Sequence, residues 1–357
     1  MKKWTCTLAV LGAAACPAWS QSSVTVFGIM DLAARSVNNE GVGSVKSLAS
    51  GGNSTSRIGL RGTEDLGSGL SAGFHLEGGL QADTGSSVVA DQFWDRRATV
   101  SVADKKLGEV RLGRDYTPTY TNWVRFDPFS YVGVAGASNL ISGAPVGPVR
   151  AAFGTGKNTV VRSSNSLQYL LPADLWGIEG GLMVAAGEGG TAANGQDKVV
   201  AGRLGYARGP VFVSVAGATT ENDVTADSKF KDYAAAGSYD AGVVKLSLGW
   251  RRFAYADARQ TNLLAAAIVP VGLADIKISY LKANLEGRVG AADISANDAS
   301  QFTVGGVYNL SKRSAVYATV ARIDNRGGAR FVVPGGATGI VAGGSSTGYE
   351  AGVRHNF

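Results

Sequence analysis

The sequence predicts an all-β protein, a transmembrane antiparallel β-barrel of about sixteen strands. Short segments alternate apolar residues with polar or small ones, and turn residues separate them. Short turns and long polar stretches alternate along nearly the whole chain, as they do at the two ends of a membrane barrel. Hydrophobic residues make up 45% of the chain, yet they do not collect into helical stripes. A secreted β-rich domain, such as a sandwich or a propeller, is the soluble alternative.

The N-terminus has the parts of a secretory signal peptide. Two lysines follow the first residue, residues 5–15 form an apolar run, and Ala18 and Ser20 fit a cleavage site. The apolar run is too short to span a membrane as a helix. Cleavage after Ser20 divides the chain into a signal peptide, residues 1–20, and a barrel domain, residues 21–357.

The cysteines and histidines limit the chemistry that is available. Cys6 and Cys16 lie in the predicted leader, so the mature chain has no thiol for a disulfide, a nucleophile or a metal site. A lipoprotein anchored at Cys16 is an alternative, although Ala13 stands where a lipobox usually has Leu. His75 and His355 are far apart in sequence. We therefore predict no enzyme activity, no cofactor and no metal site.

The net charge also excludes a class of partners. It is +6 for the whole chain, and loss of the two leader lysines lowers it to +4. This mild excess is not the dense basic patch of a nucleic-acid-binding protein.

The alternating segments define the strands one by one. An even number of strands lets both termini face the periplasm, and about sixteen strands leave an aqueous lumen. The first strand contains Val24, Val26, Ile29 and Leu32, with a small shift in phase after Gly28. The predicted strands lie near residues 22–36, 55–64, 70–82, 95–103, 109–116, 159–171, 176–186, 198–207, 210–218, 232–239, 243–253, 262–270, 274–283, 301–309, 315–324 and 348–357.

The connections between these strands fall into two classes. Short turns are predicted for the periplasmic side, and long polar stretches for the extracellular side. The long stretches are residues 37–54, 83–95, 187–198, 219–231, 254–262, 284–300 and 325–347. One further gap, between Gly108 and Leu171, is much larger than the rest.

The C-terminal segment is the sharpest local signal. Tyr349, Ala351, Val353 and Phe357 fall on one face of the last strand, and polar or small residues fall on the other. A lipid-facing strand that ends in an aromatic residue at the membrane interface has this arrangement. The alternative is an ordinary edge strand that ends in Phe.

Several motifs resemble those of a known family, the Gram-negative general diffusion porins, and in particular their trimeric, anion-preferring branch. The resemblance covers essentially the whole mature chain. It depends on SVTVFG at 23–28, SRIGLRGTEDLG at 56–67, GEVRLGRDY at 108–116, YNLSKR at 308–313 and the terminal Phe357. It implies a homotrimer in the outer membrane, in contact with lipid and lipopolysaccharide. It also implies a third extracellular loop folded into the lumen, and a terminal Phe357 that the barrel-assembly machinery reads.

The largest gap contains the loop that would narrow the pore, which we call the constriction loop, residues 117–158. It is rich in Gly, Pro, Ala and aromatic residues, among them Tyr120 and Trp123. A loop of this length is uncommon unless it is functional or disordered, and its apolar content argues against disorder. We expect it to pack against the inner wall. An external lid and a subunit-contact loop are the alternatives.

Arginines on the strands around this loop are the candidate site residues. Alternation directs Arg57, Arg61 and Arg111 toward the lumen, whereas the order Arg96-Arg97 at the fourth strand leaves open which of the two faces inward. Rows of arginine favour anions. The resemblance implies a basic cluster of Arg57, Arg96 and Arg162. It also implies an acidic counterpart, Asp127, on a loop that carries Tyr120 and Arg125, with a transverse field between the two. The alternative is that these arginines are ordinary solvated lumen residues.

These observations predict an outer-membrane general diffusion porin that passes small hydrophilic solutes and prefers anions. A substrate-specific channel and an adhesin-type barrel are the alternatives. A barrel enzyme would need a nucleophile and a base near the rim, and neither histidine has an adjacent Ser-Asp constellation.

Overall fold

The protein forms one closed antiparallel β-barrel. The computed structural model describes residues 23–141, 145–173, 175–187, 197–222 and 228–357, so the predicted leader lies outside the described part of the chain. Sixteen strands form the wall, as predicted. They are β1 Ser23–Asn39, β2 Arg57–Gly67, β3 Leu70–Gln81, β4 Arg97–Asp104, β5 Gly108–Tyr116, β6 Arg162–Leu170, β7 Ile178–Ala185, β8 Lys198–Arg208, β9 Val211–Glu221, β10 Phe230–Asp240, β11 Lys245–Tyr255, β12 Ala258–Val271, β13 Ala274–Glu286, β14 Ala299–Asn309, β15 Ser314–Asn325 and β16 Ser345–Asn356.

The first and last strands close the barrel. β1 pairs with β16 from Ile29 opposite Asn356 to Asn39 opposite Ser346. Just below this ladder, Gly28 and Phe357 exchange two backbone hydrogen bonds, of 3.0 and 3.1 Å. Closure removes the sheet edges, which would otherwise expose unpaired backbone groups to lipid.

Apolar side chains cover the outside of the wall, and polar ones line the inside. On β1, Val24, Val26 and Met30 are exposed on the outer face, while Asp31 and Ala33 are buried on the inner face. This alternation runs through β1 without interruption, so the predicted shift in phase after Gly28 was wrong. The reason is that Met30, not Ile29, continues the outward row.

Several of the predicted long polar stretches contain regular structure. In the stretch 37–54, Gly43–Ser50 forms an extra strand that pairs with the upper half of β1. In the stretch 254–262, β11 and β12 meet in a tight turn at Ala256 and Asp257. Both strands continue above the membrane, where polar residues occupy both faces and the alternation no longer shows in the sequence. Three further short strands lie in other extracellular connections, at Ser86–Ser87, Arg288–Val289 and Ala292–Asp293.

The connection between β5 and β6 fills part of the lumen, as expected for the constriction loop. It contains α1 Pro118–Val124, a 3-10 turn Ala137–Leu140 and α2 Pro148–Phe153. Residues 142–144 lie outside the described part. Within the described ranges, no helix is both long and apolar enough to cross a bilayer.

The loop packs against the inner face of the wall from β7 to β16. Trp123 of α1 is fully buried and lies against Gly249 of β11. At the 3-10 turn, the Leu140 carbonyl accepts hydrogen bonds from the side chains of Gln260 and Asn262 on β12, at 2.6 and 3.2 Å. These contacts support an internal loop rather than an external lid.

The last extracellular connection also turns inward. Phe331 and Val333 are buried in the same hydrophobic cluster as Trp123. The Val333 N–H donates to Ser346 Oγ on the inner face of β16, at 2.9 Å. Asn325 holds the base of this connection by donating to the carbonyls of Phe331 and Gly344. This polar stretch, predicted as an extracellular loop, therefore also contributes to the packing inside the barrel mouth.

Candidate functional site

Five of the predicted arginines lie on wall strands of one side of the barrel. Arg57 and Arg61 are on β2, Arg97 on β4, Arg111 on β5 and Arg162 on β6. Arg61 stacks over Phe27, an inward residue of β1, at 5.2 Å from the ring centroid. His75 and Glu77 of β3 lie in the same inward-facing rows, because His75 is opposite Arg61 and Glu77 is opposite Arg97.

Arg96 and Arg97 both belong to the inner side. Arg97 is the first residue of β4 and alternates inward with Thr99, to which it donates at 3.0 Å. Arg96 precedes the strand, where alternation does not apply, and its guanidinium turns inward to Glu77 at 2.5 Å. The sequence left open which of the two faces the lumen, and the answer is both.

The arginines near the upper end of this wall form a cluster, which we call the upper cluster: Arg57, Arg96 and Arg162, with Glu77 and Tyr116 between them. The Tyr116 hydroxyl accepts from Arg96 at 2.7 Å and from Arg162 at 3.1 Å. Arg57 lies 3.7 Å from the Glu77 carboxylate. Arg57 and Arg96 share the Glu77 carboxylate, and Arg162 joins them through Tyr116. Three guanidinium groups with one carboxylate leave the cluster a net positive charge.

Burial and the neighbouring groups act in opposite directions on Arg96. Burial alone lowers the pKa of the Arg96 guanidinium, but the nearby Tyr116 and Glu77 outweigh it and raise this pKa above its ordinary value. Arg96 therefore stays charged. Burial also raises the pKa of Tyr120, on the constriction loop, to about 12. The Tyr120 ring stacks on Tyr116 at 5.1 Å and adds no charge to the upper cluster.

The charges beside the upper cluster and below it are balanced. Arg111 lies 2.7 Å from Glu109 and 3.2 Å from Asp115, and Arg97 lies 3.6 Å from the same Asp115. Two cations meet two carboxylates here, in contrast to the upper cluster. Arg61 is four residues below Arg57 on β2, about 13 Å nearer the periplasmic end.

The loop residues take positions that alternation could not predict. Arg125 forms an ion pair with Glu179 of β7 and lies over the ring of Phe212 at 4.3 Å. Arg203 of β8 binds the same Glu179 at 2.6 Å. This second group of charges lies on β7 and β8, the wall strands that follow β6 of the upper cluster.

Asp127 does not face the arginines. It is only 5% exposed, and its carboxylate accepts the backbone N–H groups of Phe129, Tyr131 and Ala137 at 2.9 to 3.0 Å. A short polar side chain next to a turn commonly satisfies local N–H groups in this way. In this structure Asp127 therefore organises the constriction loop. The resemblance implied a carboxylate that borders the open passage, and the Asp127 carboxylate does not border it.

Three residues that the sequence did not single out belong to the site. Glu77 and Tyr116 hold the upper cluster together, and Arg114 donates to the Asp95 carbonyl at 2.6 Å and to Ser164 Oγ at 2.9 Å. The alternation of β3 places Glu77 on the same inner face as His75, so the sequence pattern could have identified Glu77. A register shift between Gly113 and Asp115 hides Arg114, because alternation from Arg111 stops there.

A buried polar network secures the loop on the side of β1 and β16. Glu350 binds Arg35 at 2.8 Å and accepts the Val134 N–H of the constriction loop at 3.2 Å. Next to it, Asp31 accepts the Tyr317 hydroxyl at 2.5 Å and the backbone N–H groups of residues 52–54. Among the described residues, no group of His, Cys, Asp and Glu side chains is arranged to hold a metal ion.

Comparison with known proteins gives consistent matches. A family model described as Gram-negative porin matches residues 7–328. Outer membrane porin protein 32 of Delftia acidovorans is 35% identical, and the alignment covers 100% of both chains. An outer membrane porin protein of Bordetella pertussis is 25% identical, again over 100% of both.

The solved structures agree with the sequence relatives. An anion-selective porin from Comamonas acidovorans superimposes with a TM-score of 0.79 at 33% identity, covering 94% of this chain and 100% of that one. OmpF of Salmonella typhi, at 14% identity and a TM-score of 0.67, shares the fold, with 94% of this chain and 97% of that chain covered.

Proposed function

Because this chain belongs to the Gram-negative porin family and is an outer-membrane β-barrel porin, we propose that its pore prefers small anions among the hydrophilic solutes that diffuse through it. The observation that carries the proposal is the upper cluster, which holds three arginines, Arg57, Arg96 and Arg162, and a single carboxylate, that of Glu77. Fixed cations raise the local concentration of anions and lower their barrier to entry.

The constriction loop does not offset this charge. Asp127 is the only acidic residue in the range 117–158, and it is buried. The loop instead contributes a cation, Arg125, which pairs with Glu179 on the neighbouring wall strand β7. No transverse field between wall arginines and a loop carboxylate is therefore needed in this proposal. The excess positive charge on the wall alone favours anions.

Reversal potentials in asymmetric salt test the proposal. The variant carries Arg57→Gln and Arg162→Gln, which remove two charges without adding bulk. We expect the anion-to-cation permeability ratio to fall about threefold or more, with little loss of conductance. Arg313→Gln, in an exposed periplasmic turn, is the matched control and should leave the ratio unchanged. An unchanged reversal potential in the double variant would refute the assignment.

The same recordings separate the porin from its nearest rival. A general diffusion porin shows steady conductance that sugars and phosphate do not block, whereas a substrate-specific channel is blocked by its solute. The family and the fold are those of channels, and we infer that the chain has no catalytic activity.

The partners follow from the family. One solved relative of the same fold is described as a trimer form, and we infer that this chain also assembles as a homotrimer. A groove of about 980 Å³ on the outer wall, lined by small residues such as Ala34, Ala318 and Ala351, offers a surface for close subunit contact. Unheated gel electrophoresis or light scattering of the purified protein tests the trimer. Contact with lipopolysaccharide, and recognition of Phe357 by the assembly machinery, are part of the same proposal.

The N-terminal prediction completes the proposal. We infer that residues 1–20 are a signal peptide and that the mature chain starts at Gln21. Mass spectrometry of the protein from outer membranes tests the cleavage site.

A further inference from the structure

His75 lies on the inner wall, close to the upper cluster. The chain has two histidines, and the other, His355, is exposed on the outer face of β16, where it contacts Ser314 at 2.9 Å. His75 pairs across the sheet with Arg61 on one side and Thr99 on the other, both inward. Its ring packs edge-on against Phe27, with 5.3 Å between centroids.

The Glu77 carboxylate joins His75 to the arginines. One carboxylate oxygen, Oε1, lies 2.5 Å from Arg96 and 3.7 Å from Arg57. The other oxygen, Oε2, lies 3.5 Å from Nε2 of His75. This Nε2 makes no hydrogen bond to any residue in the described part of the chain. A proton on Nε2 would therefore meet a carboxylate that the arginines already share.

The charged groups around His75 come from three strands and one connection. Glu77 lies two residues along the same strand, β3. Arg57 and Arg61 come from β2, Arg97 from β4, and Arg96 from the residue before β4. The elements around His75 thus carry four cations and one anion, and the anion, Glu77, lies 3.5 Å from Nε2.

We propose that His75 is a specificity-determining residue, which strengthens the anion preference of the pore when it takes up a proton. The inference rests on the proposed function and adds a dependence on pH to it. Histidine is the side chain whose charge ordinarily changes between about pH 5 and pH 8.

Two effects of the proton act in the same direction. The imidazolium adds a positive charge to the lumen wall. It also binds Glu77 and so weakens the hold of this carboxylate on Arg57, whose contact is the longest of the three. Both effects raise the positive potential that a permeating anion meets. A unit charge acting through water across about 10 Å changes the occupancy of an ion about twofold.

The experiment measures reversal potential in asymmetric salt with the intact protein in planar bilayers. For the wild type, we expect the anion-to-cation permeability ratio to rise about twofold between about pH 8 and pH 5.5. His75→Gln should lose this rise. His75→Lys should give a high ratio that stays constant over the same range. His355→Gln removes the other imidazole and should behave like the wild type.

The outcomes separate this inference from the proposed function. A wild-type pore that prefers anions equally at both pH values would overturn the role of His75 alone. The same holds if His75→Gln keeps the rise or if His355→Gln loses it. A pore without anion preference at either pH would overturn the proposed function as well.

Discussion

Arg251 of β11 and Asp232 of β10 form a bidentate ion pair that is fully buried on the inner wall, with distances of 2.7 and 2.9 Å. The same guanidinium donates to the Val160 carbonyl at 3.0 Å. Val160 lies between the constriction loop and β6, so the pair fixes the point where the chain returns to the wall. The position of the loop therefore depends on a charge pair that is not itself part of the upper cluster.

Removing one partner of this pair should destabilise the barrel strongly. Asp232→Ala leaves the Arg251 guanidinium buried without a carboxylate, and we expect the free energy of unfolding to fall by about 3–5 kcal/mol. Urea unfolding of the protein in lipid vesicles, followed by tryptophan fluorescence, measures the change. The double variant Asp232→Leu with Arg251→Met replaces the pair with apolar groups and should recover most of the loss. Equal losses in the single and the double variant would contradict this explanation.

Contact between Trp123 and Gly249 should control how firmly the loop is held. A Cβ at residue 249 would lie 3.0 Å from the Trp123 ring, closer than side chains normally pack. We expect Gly249→Val to push α1 from the wall and to increase the fluctuations of the single-channel current. Gly237→Val on β10 is the matched control, because its Cβ would meet no atom closer than 3.4 Å. If both variants show the steady currents of the wild type, the contact between α1 and the wall does not control the motion of the loop.

The wall was largely predictable from the sequence because lipid imposes one rule on every strand. Apolar residues must alternate with polar ones wherever a strand crosses the bilayer, so all sixteen strands show this alternation in the sequence. Above the membrane the alternation is absent. The sequence therefore predicts long loops where the structure has the tight turn at Ala256 and the extra strand Gly43–Ser50.

The site was predictable only where it lies on regular strands. Arg57, Arg61 and Arg111 follow the alternation, whereas Arg114 follows a register shift and Arg96 precedes its strand. No periodicity describes the constriction loop, so the direction of Asp127 depended on resemblance alone. Its three backbone hydrogen bonds form within a turn of this loop, and no sequence pattern gives the direction of that turn in the lumen.

The burial of Asp127 leads to a prediction about selectivity. Asp127→Asn removes a negative charge that does not border the passage, so we expect the anion-to-cation permeability ratio to stay within about 1.5-fold of the wild type. Glu77→Gln removes a carboxylate of the upper cluster and should raise the ratio about twofold. Zero-current potentials of both variants in the same salt gradient make the comparison. A larger effect from Asp127→Asn than from Glu77→Gln would restore the opposed-charge arrangement.

The last residue should matter more for assembly in the cell than for the stability of the finished barrel. Phe357 is 45% exposed on the outer face at the periplasmic end, and its backbone already pairs with Gly28. Phe357→Ala keeps that backbone pairing and removes only the ring. We expect the amount of barrel in the outer membrane to fall severalfold, while the purified chain refolds from urea into detergent as well as the wild type. Tyr349→Ala, which removes another exposed aromatic ring from the outer face of β16, is the control and should leave the amount in the membrane unchanged. A matching loss in detergent refolding would mean that the ring acts by packing on the barrel rather than by recognition.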